Sequence, residues 1–187
     1  MKDPAFIQNM IQKGKLAGER VLAEFDHLNN RQLNWKPSAE QWSIAQCLDH
    51  LVVSNNTYFP VLEKIASGSH KMNWWERNSP LSGVFGKMLV NQLKETVKRK
   101  MRAPQLFRPA ASEINTDIIL SFNTQLDKFL KLMNECLDAD LDKTIITSPV
   151  SRIITYNLKD AYTILVQHLH RHINQAIRVK NNPSFPH

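Results

Sequence analysis

The chain has 187 residues, of which 42% are hydrophobic and 22% charged, with a formal net charge of +7. That is the composition of a globular domain long enough to bury a full core, and it excludes a disordered or low-complexity chain. Two cysteines make no disulfide framework, no apolar run approaches the roughly 20 residues of a bilayer span, and five glycines speak against a many-turned β fold.

The first helix is expected from about Pro4 to Leu28, with proline suited to its first turn. Ile7, Met10, Ile11, Leu16, Val21, Leu22 and Phe25 give it an imperfect apolar stripe. Asn29 to Gln41 reads as a connector, because Pro37 disfavours helix at Lys36. Ser43 with Gln46 is a capping-box pattern, so the second helix starts at Ile44. Its face carries Cys47, Leu48, Leu51, Asn55, Tyr58, Leu62 and Ile65, and Ser67-Gly68-Ser69 ends it. Pro60 predicts a kink near Tyr58.

From His70 to Ser82 the chain is expected to be irregular, followed by a short helix over Val84 to Arg99 and a loop holding Pro104 and Pro109. A third long helix should run from about Asn115 to Leu137, with Ile118, Ile119, Phe122, Leu126, Phe129, Leu130 and Met133 inward. Asp138, Asp140, Asp142 and Pro149 mark a loop, with short extended structure near Ile145 to Tyr156. Asn157 caps a last helix from Leu158 to Lys180. Four long amphipathic segments, with no repeat and no βαβ alternation, predict one all-α domain over residues 1–187. Its architecture is a four-helix bundle with a long excursion between the second and third long helices.

Three of the seven histidines lie in His168-Leu169-His170-Arg171-His172. At about 100° per residue, His168 and His172 fall near −80° and −40° from Leu158, on the inward face or at the margin of a stripe spanning about −60° to +60°. His170 falls near +120°, facing out. Two imidazoles one turn apart can chelate one metal ion. Alone, the spacing leaves open a core histidine with its hydrogen bonds satisfied. His50, near −120° from Ile44, is the best further donor on the second helix, at the edge of its stripe. Spacing does not bring it to the pair.

Leu33-Asn34-Trp35-Lys36-Pro37 and Gln41-Trp42-Ser43-Ile44-Ala45-Gln46-Cys47-Leu48-Asp49-His50-Leu51 resemble the start of the DinB/YfiT-like superfamily. His168-Leu169-His170-Arg171-His172-Ile173-Asn174-Gln175-Ala176 resembles its closing His-x3-His motif. The resemblance covers both ends of the chain and leaves the middle unmatched. It implies a four-helix bundle with a metal site of His50, His168 and His172, holding zinc or nickel. It further implies a metal-dependent enzyme, a thiol S-transferase using a low-molecular-weight thiol or a hydrolase, acting on a small electrophilic substrate. The alternative is a non-catalytic bundle that binds a ligand or partner around a structural or vestigial metal.

Asn55, Gln167, Gln175 and Asp49 are candidates by type to orient the rings. Cys47 reads as a small core residue, with a fourth ligand or reactive thiol as the alternative. Trp35 and Trp42 read as core or staple residues, with a place in the lining of a substrate pocket as the alternative, Trp74-Trp75 as a loop able to reach the site or a partner subunit, and His27 and His70 as surface residues. Lys94 to Arg102 is a basic run with no DNA-binding motif around it, so a solvated face is expected and nucleic acid is not. Met1-Lys2-Asp3-Pro4 leads into no secretory pattern, so a cytoplasmic protein with free thiols and no membrane attachment is expected. A homodimer is compatible with the exposed aromatics.

Overall fold

In the computed structural model, residues 2–93, 107–109 and 113–186 are described. The long helices are α1 (Pro4–Phe25), α3 (Ile44–Asn56), α7 (Ile118–Glu135) and α8 (Leu158–Lys180). Helix α1 packs on α7 and α8, and α3 packs on the same two, so the four close into a ring ordered α1–α7–α3–α8. This is the expected all-α bundle. Its core is formed by most of the stripes read from the periodicity, including Ile7, Val21, Leu48, Leu51, Phe122, Phe129, Leu165 and Ile173, all buried, whereas Leu16 and Leu22 of the first stripe are exposed.

The connectors depart from expectation in instructive ways. Asn29 to Gln41 contains a short helix, α2 (Asn30–Asn34), because Asn29 and Gln32 close a complete capping box. The second helix is broken rather than kinked. It stops at Asn56, and α4 (Phe59–Ala66) restarts with Pro60 in its first turn, where the missing N–H costs nothing. The Thr57 hydroxyl donates to Ser54 O at 2.6 Å and holds the break. The stretch 70–82 contains α5 (Trp74–Asn78), again opened by a full capping box, Asn73 with Glu76.

Helix α6 (Ser82–Leu93) begins two residues before the expected Val84. The rest of that expected helix, the basic run Lys94 to Arg102 and Pro104 lie outside the described residues. The expected extended structure is an antiparallel hairpin, β1 (Ile145–Thr147) with β2 (Thr155–Asn157), in register Ile146 opposite Tyr156. Glu76 locks α5 to β1, since one carboxylate oxygen accepts from Thr147 N at 2.9 Å and Thr147 Oγ1 at 2.8 Å. Asn157 caps α8 by accepting from Asp160 N at 2.7 Å. Among the described residues no helix is long and apolar enough to cross a membrane.

Candidate metal centre

The Ser43 capping box fixes where α3 begins, with Ser43 Oγ accepting from Gln46 N at 3.1 Å. From that start His50 falls on the flank of α3 that packs against α8. On α8, His168 and His172 stand one turn apart on the flank facing α3. The structure brings the three rings together. Centroids lie 4.9 Å apart for His50 and His168, 4.4 Å for His50 and His172, and 4.6 Å for His168 and His172. One nitrogen from each ring lies within 4.8 Å of the other two. His170 is not part of this cluster.

Two of the rings turn a lone pair toward the cluster. His50 Nδ1–H donates to the carbonyl oxygen of Phe107 at 2.5 Å, which leaves Nε2 with a free lone pair. His172 Nδ1–H donates to Gln175 Oε1 at 3.0 Å, with the same consequence for its Nε2. His50 Nε2 and His168 Nε2 are 3.0 Å apart. Around an ion with bonds of about 2.0–2.1 Å, nitrogens separated by a right angle to a tetrahedral angle lie about 2.9–3.4 Å apart. The His50–His168 pair therefore has the spacing of two ligands on one divalent ion, with a nitrogen of His172 within 4.8 Å of both.

Burial sets the protonation state. It is the largest influence on each ring and lowers all three below the ordinary value of 6.5. His168 is pushed down to about 3, helped by His50 and Arg171, and His172 falls well below its usual value with the other two rings beside it. For His50 the hydrogen bond to Phe107 and the charge of Asp49 oppose the burial in part. All three rings are thus neutral at pH 7, the state that ligates a metal. His50 is 2% exposed, and His168 and His172 keep only a small part of their surface exposed.

The candidates to orient the rings separate clearly. Gln175 contacts His172 directly. Asn55 turns away and donates to Gln125 at 3.5 Å. Gln167 Oε1 is buried without a partner among the described residues. Cys47 is fully buried, burial pushes its thiol far up, and it is not among the clustered donors, which supports its reading as a core residue. Trp42 packs against the core as expected and also takes the alternative role, stacking on His172 at 5.6 Å and 28° and lying 4.9 Å from His50 on one side of the cluster. One feature escaped the sequence reading. The Phe107 carbonyl carried no signal, because any residue can offer one.

Trp35 packs edge-on against Phe185 at 5.6 Å, as a core residue would. His27 is exposed, as expected, but His70 is half-buried, with Nε2 3.4 Å from Ile145 O. An open groove of about 490 Å³ lies elsewhere, lined by Thr57, Lys64, His70, Lys71, Glu76 and Thr147 among others, and none of the three clustered histidines borders it.

Fold and site together define a class: a helical bundle with three neutral imidazoles converging between its second and last long helices. The chain belongs to the DinB superfamily, whose family model matches residues 15–176. An uncharacterized protein of Bacillus subtilis (strain 168), YuaE, is 24% identical over 164 residues, covering 84% of this chain and 88% of that protein. No solved structure matches.

Proposed function

We propose that this protein is a metal-dependent enzyme that holds one divalent ion, zinc or nickel, on the Nε2 atoms of His50, His168 and His172. It acts on a small electrophilic substrate, as a thiol S-transferase or a hydrolase. One observation carries the reading: three neutral ring nitrogens converge, and among the described residues no fourth protein donor joins them. Structural zinc sites are closed by four protein ligands, whereas catalytic ones keep a position open. A divalent ion on three neutral ligands would retain its full charge and lower the pKa of a water to about 7, or favour a thiol as thiolate.

The remaining roles belong to the chain. Phe107 and Gln175 keep the proton of His50 and of His172 on Nδ1 and so point both Nε2 atoms inward. The Trp42 indole shields one side of the rings from water, and the partly exposed His168 and His172 leave an approach for a small molecule. Elemental analysis of untagged protein should find about one divalent ion per chain, lost in His50→Ala and in His168→Ala. A screen of low-molecular-weight thiols against generic electrophiles should then show turnover that a chelator abolishes. Protein that purifies metal-free and is equally stable with and without added zinc or nickel would overturn the proposal.

A further inference from the structure

The break between α3 and α4 builds a second recess, away from the three clustered histidines. Part of the 490 Å³ groove is lined by that break, at Thr57, Pro60 and Val61. Another part is the turn that follows α4. Gly68 has φ +68°, in the left-handed region, and the chain reverses so tightly that Lys64 O accepts from both Ser69 N and His70 N at 2.9 Å. The turn thereby brings Lys64 and Lys71 to one groove. The rest is α5 with the hairpin, at Asn73, Glu76, Thr147 and Pro149. Cross-links tie these parts together. His70 Nε2 donates to Ile145 O at 3.4 Å, Ile145 N donates to Met72 Sδ at 3.4 Å, and Glu76 clamps Thr147.

What this lining can still offer a ligand is one-sided. Glu76 is buried and both of its oxygens are engaged: Oε1 accepts from Thr147 N and Thr147 Oγ1, and Oε2 accepts from Asn73 N at 2.9 Å. Asn73 Oδ1 accepts from Glu76 N, so the side-chain nitrogen of Asn73 is what remains to donate. Among the described residues, Lys64 and Lys71 enter no ion pair, and Glu63 beside Lys64 is held by Lys128 at 2.8 Å. The groove therefore presents two ammonium groups and an amide donor, while its one carboxylate is already bonded. Pro60, Val61 and Pro149 add apolar surface beside them.

We propose that this groove binds a small organic phosphate, a phosphomonoester on a compact apolar body, at a site separate from the histidine cluster. A phosphomonoester carries about −1.5 to −2 charges at pH 7 and offers three acceptor oxygens, which answers two ammonium groups and an amide donor. A monocarboxylate would neutralise one lysine and leave the other unmatched. The two ammonium groups outnumber Glu76, whose charge is spread over three hydrogen bonds, so the field in the groove favours an anion. The proline rings and Val61 suit the apolar body, and 490 Å³ lies within the range of about 300–1,000 Å³ that small-molecule sites occupy. The cross-links through His70, Met72 and Glu76 keep the recess formed before a ligand arrives, which lowers the ordering cost of binding.

An amide-detected NMR titration of the full chain with phenyl phosphate tests this. Saturable binding with a Kd below about 1 mM is expected at low salt, with the largest shifts from Ser69 to Asn73 and at Thr147. Inorganic phosphate, which lacks the apolar body, and benzoate, which lacks the second charge, should each bind at least about fivefold more weakly. Lys64→Gln combined with Lys71→Gln should weaken phenyl phosphate at least about tenfold with the helical circular dichroism unchanged, and Lys131→Gln, on the exposed side of α7, should not. Raising salt from about 50 to about 500 mM should weaken binding several-fold. His50→Ala should bind phenyl phosphate like the wild type, so this result stands or falls apart from the metal centre. No saturable shift by about 10 mM, shifts centred on the three clustered histidines, an affinity no better than that of inorganic phosphate, or one unchanged in the double lysine variant would each overturn the proposal.

Discussion

Gln175→Leu isolates what holds one imidazole of the cluster in its ligating form. His172 Nδ1–H donates to Gln175 Oε1 at 3.0 Å, and that bond keeps the free lone pair on Nε2. Leucine preserves much of the volume and removes the acceptor, so the proton redistributes between the two nitrogens and the ring is free to turn. Loss of such an orienting partner costs about 10–100-fold in metal affinity. Here Trp42 still stacks on His172 within 28° of parallel and restrains the plane of the ring. The lower half of the range is therefore expected, about 10–30-fold, or about 1.4–2 kcal/mol. Gln175→Glu keeps an acceptor and should bind at least as tightly as the wild type. Gln167→Leu is the control. It removes a buried oxygen without a partner among the described residues, one residue from His168, so metal affinity should hold and stability should rise by up to about 1 kcal/mol. Competition against a chromophoric chelator at fixed pH reads the affinities. Wild-type affinity within twofold for Gln175→Leu, or equal damage from Gln167→Leu, would refute this reasoning.

Two further outcomes follow from other contacts. Burial depresses all three imidazoles, so between about pH 6.5 and pH 3 the unfolded chain binds protons that the folded chain refuses. The stability they contribute is full above about pH 6.5 and is lost progressively as the pH falls toward the folded value of about 3 for His168; a urea midpoint of metal-free protein that is flat from pH 7.5 to 5 would contradict it. Gly86→Ala should destabilise the fold, because its Cβ would run into Asp160 Oδ2 and lie 2.8 Å from its Cγ and 3.0 Å from its Cβ. A cost of about 1–3 kcal/mol for overpacking outweighs the gain of about 0.5–1 kcal/mol for alanine in a helix, and an Asp160→Ala background should recover part of the loss in chemical denaturation.

Much of this was legible in the sequence because the physics is local. The apolar stripes of the long helices, the Ser43 and Asn157 caps and the His-x3-His spacing all act within one or two turns. What escaped shows where that locality ends. Asn29 with Gln32 and Asn73 with Glu76 are the same signal as Ser43 with Gln46, but no apolar period follows them. Each nucleates little more than one turn, since a helix without a buried face has nothing to sustain it. At Pro60 the sequence marked the interruption, and the size of it was decided by distant groups: Tyr58 is anchored by a 2.7 Å bond to the Tyr156 hydroxyl, 98 residues away, which fixes where the chain must turn. Trp42 joined the histidines for a similar reason, through packing between helices that no window contains.

The off-centre angles of the three histidines gain their meaning from the ring of helices. A residue in the middle of an apolar stripe points at the bundle axis, where all four helices compete for space. His50 and His168 sit beside their stripes and His172 toward the same edge of its own, and α3 and α8 are neighbours in the ring. Adjacent helices face each other along their flanks, so the three imidazoles meet between α3 and α8 instead of on the bundle axis. That position reconciles two demands. It is buried enough to hold the rings neutral, through desolvation that lowers every one of them. It is open enough that His168 and His172 keep part of their surface in water. A deeper placement would strengthen the first effect and close the approach; a shallower one would let the imidazoles protonate near neutral pH and repel a cation.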